Sequence, residues 1–499
     1  MNPRLPFSAA LAASLCSGPI ALVPSAVAAE IEGLPKAGPA HHLEITPAQE
    51  KTLPNGLRII VQQRPALPLL TAELLIKSGA ETDPPKLAGL AHFTANLLKR
   101  GTTTRSAPQI AQDTEALGAK IDTEASWDAA SVKLTTLSAN AEPALAIVSD
   151  LVRHPAFAKD EIERQRREML DDLRLSLEEP GTVARFAIRR AVLGTSSYAH
   201  ADTGTPASLS HLTRKDIVTL HGQAYRPGNA ILVLTGSLKA EEAFALAEKT
   251  FGDWADSAPT SKTAESMLTA SPTPPMGGRV ILIDMPTAGQ AAVYVAARGI
   301  LRTADDWFAG KVTNALLGGG YSSRLNLEVR LKRGLSYGAA SGLSTYRDNG
   351  IFSAGAQTKN ESAAEVVKVM QGEIQRLLTE SAPDQYLKGR EAVLTGAFAR
   401  DLETNDNYSD RLADLALYAL PLDSLGHYIE SVEHVTPVAL QTFAQHHFAA
   451  ENFTVVVAGQ AKVVENPLRE LYPKLEVIPA AKLDLDAPTL RPPALTVHH

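Results

Sequence analysis

The chain has 499 residues, with 48 Lys+Arg against 55 Asp+Glu and a formal charge of −7 at neutral pH; that acidic balance, with no basic stripe, speaks against a nucleic-acid partner. Its single cysteine, Cys16, lies in the N-terminal segment, so a chain that has lost this segment can build neither a disulfide framework nor a cysteine-based metal site or nucleophile. At this length one hydrophobic core does not suffice, and several domains are expected.

Residues 1–29 carry one basic residue, Arg4, then an Ala/Leu-rich stretch interrupted by Pro19 and Pro24 and closed by Ala-Val-Ala-Ala. This order predicts a secretory signal peptide and export to a Gram-negative periplasm, with outright secretion as the alternative. Cys16 follows Leu15, where a lipoprotein signal would want a small residue, which disfavours a lipid anchor. Loss of Arg4 leaves 47 Lys+Arg against 55 Asp+Glu, a charge of −8. No other stretch approaches the roughly 20 apolar residues of a membrane span.

A first half is expected over 48–255. It opens with the strand-like run Leu57–Val61 and continues into Gly89-Leu90-Ala91-His92-Phe93-Thr94-Ala95-Asn96-Leu97-Leu98-Lys99-Arg100-Gly101-Thr102. A helical pattern at Ile110–Leu117 ends on Gly118, a plausible C-terminal glycine. A charged amphipathic helix follows around Asp160–Leu170. Residues 256–278, rich in Ser, Thr, Pro and Ala, read as an extended linker. A second half over 279–475 opens with the strand-like Arg279–Ile283, and a tail over 476–499 with Pro479, Pro488, Pro492 and Pro493 is expected along the surface or disordered. His498 and His499 end that tail and read as native residues, not a metal site.

The two halves are related. His211, Thr213, Tyr225, Asn229 and Gly236 align without a gap with His434, Thr436, Phe448, Asn452 and Gly459, a constant offset of 223 residues. Strands and helices recur in each half, which predicts α+β layers rather than a bundle or a sandwich of strands alone.

With these segments in view, the chain resembles the pitrilysin/insulinase family of metallopeptidases, the inverzincins, which includes insulin-degrading enzyme and the mitochondrial processing peptidase subunits. The likeness runs from about Leu53 to Pro473 and rests on Gly-Leu-Ala-His-Phe, Lys99–Thr102 and Glu115–Ala119 in the first half. In the second half it rests on Leu317-Gly318-Gly319-Gly320-Tyr321-Ser322-Ser323-Arg324-Leu325 and Arg330–Tyr337. The resemblance implies two homologous halves, each of two related α/β sandwich-like domains, forming a clam shell.

In the family pattern H-x-x-E-H, two histidines four apart grip Zn²⁺ from one helical face and the glutamate activates the bound water. Here the first ligand is His92, but the base position holds Ala95 and the second ligand position Asn96. Glu163 is the best match to the distant third ligand. Asp122-Thr123-Glu124-Ala125 stands where active members tend to have N-A-x-T. A zinc site with three protein ligands cannot be built from what remains, and no base is left to take the proton. No metal is therefore expected in this chain.

The resemblance also implies an arginine and a tyrosine seven residues apart in the second half that close over the substrate; Arg330 and Tyr337 match. A guanidinium can hold a peptide carbonyl or terminus and a phenol can donate to a developing oxyanion. The Gly318-Gly319-Gly320 loop is read as a substrate-access element, since no phosphate-binding motif surrounds it. By analogy with bacterial and mitochondrial relatives that split these features between two chains, the expectation is a non-zinc subunit. It would pair with a homologous H-x-x-E-H subunit that carries the zinc and complete its partner's site for peptides or unfolded segments. The rival reading is a scaffold or peptide-binding protein with no part in catalysis.

Blander readings stand beside these. His92 reads as a packed helix residue and Glu163 as part of a solvated face. Arg330 would pair with Glu328 or Asp348 and Tyr337 would turn its ring into the core, while Tyr321 and Tyr346 read as ordinary aromatics.

Overall fold

The computed structural model describes residues 45–255 and 277–492. The signal segment, linker residues 256–276 and the terminal histidines lie outside the described residues. The strands are β1 Gln49–Thr52, β2 Arg58–Gln63, β3 Leu69–Ile76, β4 Lys120–Ala125, β5 Ala130–Leu137, β6 Ala230–Gly236, β7 Val280–Asp284, β8 Ala291–Arg298, β9 Ala339–Thr345, β10 Gly350–Thr358, β11 Thr454–Gly459 and β12 Glu476–Pro479. The helices used below are α1 Leu90–Leu97, α2 Ala107–Ala116, α3 Lys159–Ser176, α4 Pro180–Leu193, α5 Arg214–Ala224, α6 Trp307–Leu317, α7 Asn405–Leu417 and α8 Pro437–His447.

Two six-stranded sheets form, in the orders β1-β2-β6-β3-β5-β4 and β12-β7-β11-β8-β10-β9. Both are mixed: β2 runs parallel to β6 and β7 to β11, whereas β3 and β8 pair antiparallel with those same central strands. The α+β class and the two homologous halves are therefore as expected, and each half is built on one such sheet with its helices. The repeat is visible in detail. Thr213 and Thr436 each cap a helix, α5 and α8, by accepting the backbone N–H of its third residue, Asp216 or Ala439, and each helix leads through a short turn into a central strand, β6 or β11.

Sequence pattern explains the layering. The central strands β6 and β11 are buried along their whole length, as continuous apolar runs covered on both faces must be. The outer strand β4 instead alternates, with Ile121 and Thr123 inward and Lys120, Asp122 and Glu124 outward. It is an edge, as is β9 at the matching end of the other sheet.

The halves exchange helices. First-half α4 packs on β8 and β11 of the second sheet, and second-half α7 packs on β3 and β6 of the first. Each core therefore mixes both halves: Ile281, Ile283, Val456 and Ala458 belong with the first, Ile60, Leu75, Ile231 and Val233 with the second. At the seam, buried Asp128 accepts hydrogen bonds from the Tyr198 and Tyr418 phenols and from the Arg347 backbone N–H. Tyr346, read from sequence as an ordinary aromatic, stacks on Tyr198 at 5.2 Å and receives an Arg189 N–H at 2.6 Å across the same seam.

The C-terminal segment departs from the expected loose tail. β12 adds in parallel to β7, Ile478 and Leu490 are fully buried, and the chain then returns to the first half. There Arg190 donates to the Leu485 carbonyl at 2.9 Å and Thr205 to Asp486 at 2.8 Å. Its prolines remove N–H donors and are suited to a strap, but the isolated Leu485 and Leu490 anchor it.

Candidate functional site

The start of α1 is fixed by a buried carboxylate. Asp83 accepts the backbone N–H groups of Gly89 at 2.7 Å and Ala91 at 2.8 Å, satisfying donors that a helix end leaves free. His200 stands 3.4 Å behind it. Gly89 has φ +88°, and a Cβ there would lie 2.8 Å from the Gly204 backbone, so glycine is required. Along α1, Leu90, Phe93, Ala95 and Leu97 are buried while His92 and Asn96 are half-buried. The helix that would carry a zinc motif is thus present, with a methyl group where the base would stand.

Glu163 is not among the residues that α3 buries. On α3 the residues that turn inward are Ile162, Gln165, Met169 and Leu173, and Glu163 lies on the solvated side, paired with Arg166 at 3.3 Å. The α3 residue that shares a cavity with Asn96 is Gln165. Together with Lys99, Arg100 and Ala107 these two line a cavity of about 480 Å³. Arg100 is held by Glu168 at 2.6 Å and Gln165 at 3.3 Å. Two amides and two cations do not suit Zn²⁺, which takes imidazole, thiolate or carboxylate donors. Among the described residues no group of three His, Cys, Asp or Glu side chains is placed to hold a metal ion.

In the second half, the loop after α6 and the turn that follows form one exposed surface. Gly318 and Gly319 are there for packing: a Cβ on Gly318 would lie 2.2 Å from the Ser341 nitrogen, and one on Gly319 would lie 2.5 Å from the Ala315 Cα. Gly320 has open space beside it, with only an Arg390 nitrogen at 4.0 Å. Of the three glycines read as a substrate-access loop, two are accounted for by close approach of β9 and α6. Arg390 and Tyr386 fasten the loop at Ser322, by 2.6 and 2.7 Å hydrogen bonds.

Arg330 sits in a π-helical turn, Leu327–Lys332, a local geometry often found at functional sites. Glu328 does not pair with it, because that carboxylate is taken by Lys332 at 2.6 Å and by Arg333. The Arg330 guanidinium lies instead over the ring of Tyr321, which joins the glycine loop to the π turn. Tyr337 is 89 % exposed, with its ring outside the core. Asn326 ties these pieces together, donating to the Tyr321 carbonyl and accepting from Ala339 at the start of β9. The sequence gives Tyr321 no role beyond an ordinary aromatic, and Lys99, Arg100 and Gln165 none in a site. The helical stripe Ile162, Gln165, Met169 and Leu173 was the signal available for the last of these.

Two family models cover 58–199 and 211–390 of this chain, described respectively as "Insulinase (Peptidase family M16)" and "Peptidase M16 inactive domain". The chain belongs to the M16 peptidase family. It is 25 % identical over 412 residues to an uncharacterized zinc protease of Mycobacterium leprae, covering 82 % of this chain and 91 % of that one. It is 22 % identical to an uncharacterized zinc protease of Bacillus subtilis, covering 80 % and 96 %. Among solved structures, a peptidase M16 inactive domain from Pseudomonas fluorescens superposes with a TM-score of 0.77 at 27 % identity, covering 83 % of this chain and 98 % of that one. A protease from Helicobacter pylori has the same fold, with a TM-score of 0.77 at 20 % identity and coverages of 83 % and 100 %. Within M16, this member is a peptidase-like chain that lacks the base and the second ligand of a zinc site.

Proposed function

We propose that this M16 chain is the non-zinc subunit of an exported heteromeric peptidase, and that it lends Arg330 and Tyr337 to the active site of a homologous partner bearing H-x-x-E-H. The observation that carries the reading is a contrast: α1 holds Ala95 and Asn96 where the metal chemistry would stand, while Tyr337 is fully presented and Arg330 has no ion-pair partner among the described residues. A zinc ion held by the partner's H-x-x-E-H would supply the activated water. Arg330 then holds a substrate carbonyl or terminus, and the Tyr337 hydroxyl donates to the oxyanion formed as the peptide carbonyl becomes tetrahedral. One such donor contributes about 3 kcal/mol, or roughly a hundredfold in rate. The leading segment 1–29 would direct the assembly to the periplasm, and no described helix is long and apolar enough to cross a membrane.

The test is hydrolysis of an unstructured peptide by this chain mixed with a co-expressed H-x-x-E-H homologue, wild type against the Arg330→Ala/Tyr337→Phe double variant. Activity that needs both chains and collapses in the variant supports the proposal. Activity indifferent to this chain, or to the two substitutions, overturns it in favour of a scaffold or peptide-binding role.

A further inference from the structure

We propose that the cavity between α1, α2 and α3 is a binding site for a single carboxylate carried by a peptide segment. Its polar lining is two cations and two amides: the Lys99 ammonium and the Arg100 guanidinium, with Asn96 and Gln165, whose NH2 groups can donate while the Gln165 oxygen accepts from Arg100. No carboxylate lines it; Glu168, which pairs with Arg100 at 2.6 Å, is not among the lining residues. The cavity also receives Ala107, the first residue of the ten-residue helix α2, whose N-terminus adds a partial positive charge.

Charge matching selects the ligand. Arg100 is neutralised by Glu168, whereas Lys99 makes only a long 3.4 Å hydrogen bond to the Ile121 carbonyl. One uncommitted cation matches a carboxylate; a doubly charged phosphate would leave a charge unmatched in a partly enclosed space. The same bond points to a peptide as the carrier. Ile121 lies on β4, the last strand of its sheet, and backbone groups that no neighbouring strand pairs can take the hydrogen bonds of an extended peptide. The place of a zinc site has thus changed the sign of the ligand it suits, and the inference does not rest on the Arg330/Tyr337 reading, because it is measured on this chain alone.

The experiment is fluorescence anisotropy with two fluorescein-labelled decapeptides identical except for a central Glu or Gln. The Glu peptide is expected to bind about tenfold more tightly, a preference kept in Lys99→Arg, reduced in Asn96→Leu and lost in Lys99→Met, with circular dichroism reporting an intact fold in each. Equal binding of the two peptides, or a preference that persists in folded Lys99→Met, overturns the site. Inorganic phosphate that competes only weakly supports a peptide carboxylate; phosphate that binds more tightly than the Glu peptide overturns that assignment.

Discussion

The Arg330 guanidinium lies 5.0 Å from the centre of the Tyr321 ring, and that ring is itself 63 % exposed. A cation–π contact at an exposed position is worth about 0.5–1 kcal/mol, so its effect on folding is small and its effect on where Arg330 points is the greater. Tyr321→Ala is expected to leave the melting temperature nearly unchanged while lowering the activity of the reconstituted heteromer several-fold, and Tyr321→Phe to retain it. Equal activities for Tyr321→Ala and wild type would show that the stack does not position Arg330.

Gly318 and Gly320 separate packing from access. Gly318→Ala would force a methyl group to within 2.2 Å of the Ser341 nitrogen, and overpacking of this kind costs roughly 1–3 kcal/mol. Gly320→Ala meets open space and should be neutral in a thermal melt. A melt in which Gly318→Ala is as stable as wild type would mean that β9 and α6 yield more easily than their contact suggests.

Acidic groups buried at the seam make stability fall with rising pH. Burial, reinforced by Asp128 and opposed by Arg347, pushes the Glu81 carboxyl up to about 8. A carboxyl raised in the folded state contributes fully below its unfolded value of 4.5 and loses that contribution as pH rises through about 8. The slope is about 1.4 kcal/mol per pH unit in that window. Glu73, raised to about 7 chiefly by burial, acts in the same direction. Glu81→Gln imitates the protonated form, so its melting temperature should gain on wild type between pH 5 and pH 8.5. Parallel curves for the two proteins would remove Glu81 from this role.

Metal content gives a direct check on α1. The purified chain, exposed to excess zinc and passed through a desalting column, is expected to retain far less than one Zn²⁺ per molecule by mass spectrometry. His92→Ala should retain no less than wild type. Stoichiometric zinc that His92→Ala abolishes would restore a metal site to this helix.

The repeat, the opening strands β2 and β7 and the altered zinc motif were legible in sequence because each depends on local order: matched residues at a fixed offset, apolar runs, and ligand spacing along one helix. Gly118 ends α2 with φ +56°, as a C-terminal glycine should. What the sequence hid was non-local. Nothing in the apolar face of α4 says that it covers the other half's sheet, and nothing in a proline-rich tail says that Leu490 will be fully buried. At Glu163 residue type and helical phase point different ways: the family match is a carboxylate, while the inward stripe of α3 passes it by. The neighbouring positions Ile162 and Gln165 turn inward, and Glu163 falls about 100° round the helix from Ile162 and roughly 160° from Gln165.

The crossed placement of α4 and α7 bears on how such a chain arises. A polypeptide of half this length would leave the apolar face of its crossing helix without a sheet to cover, unless it met a second copy of itself. Two copies related by a twofold axis would satisfy both crossings at once. The connection through 256–276 therefore joins covalently what a symmetric pair achieves by association. Once joined, the two copies no longer need identical sequences, so one could lose its metal ligands while the other kept its exposed arginine and tyrosine.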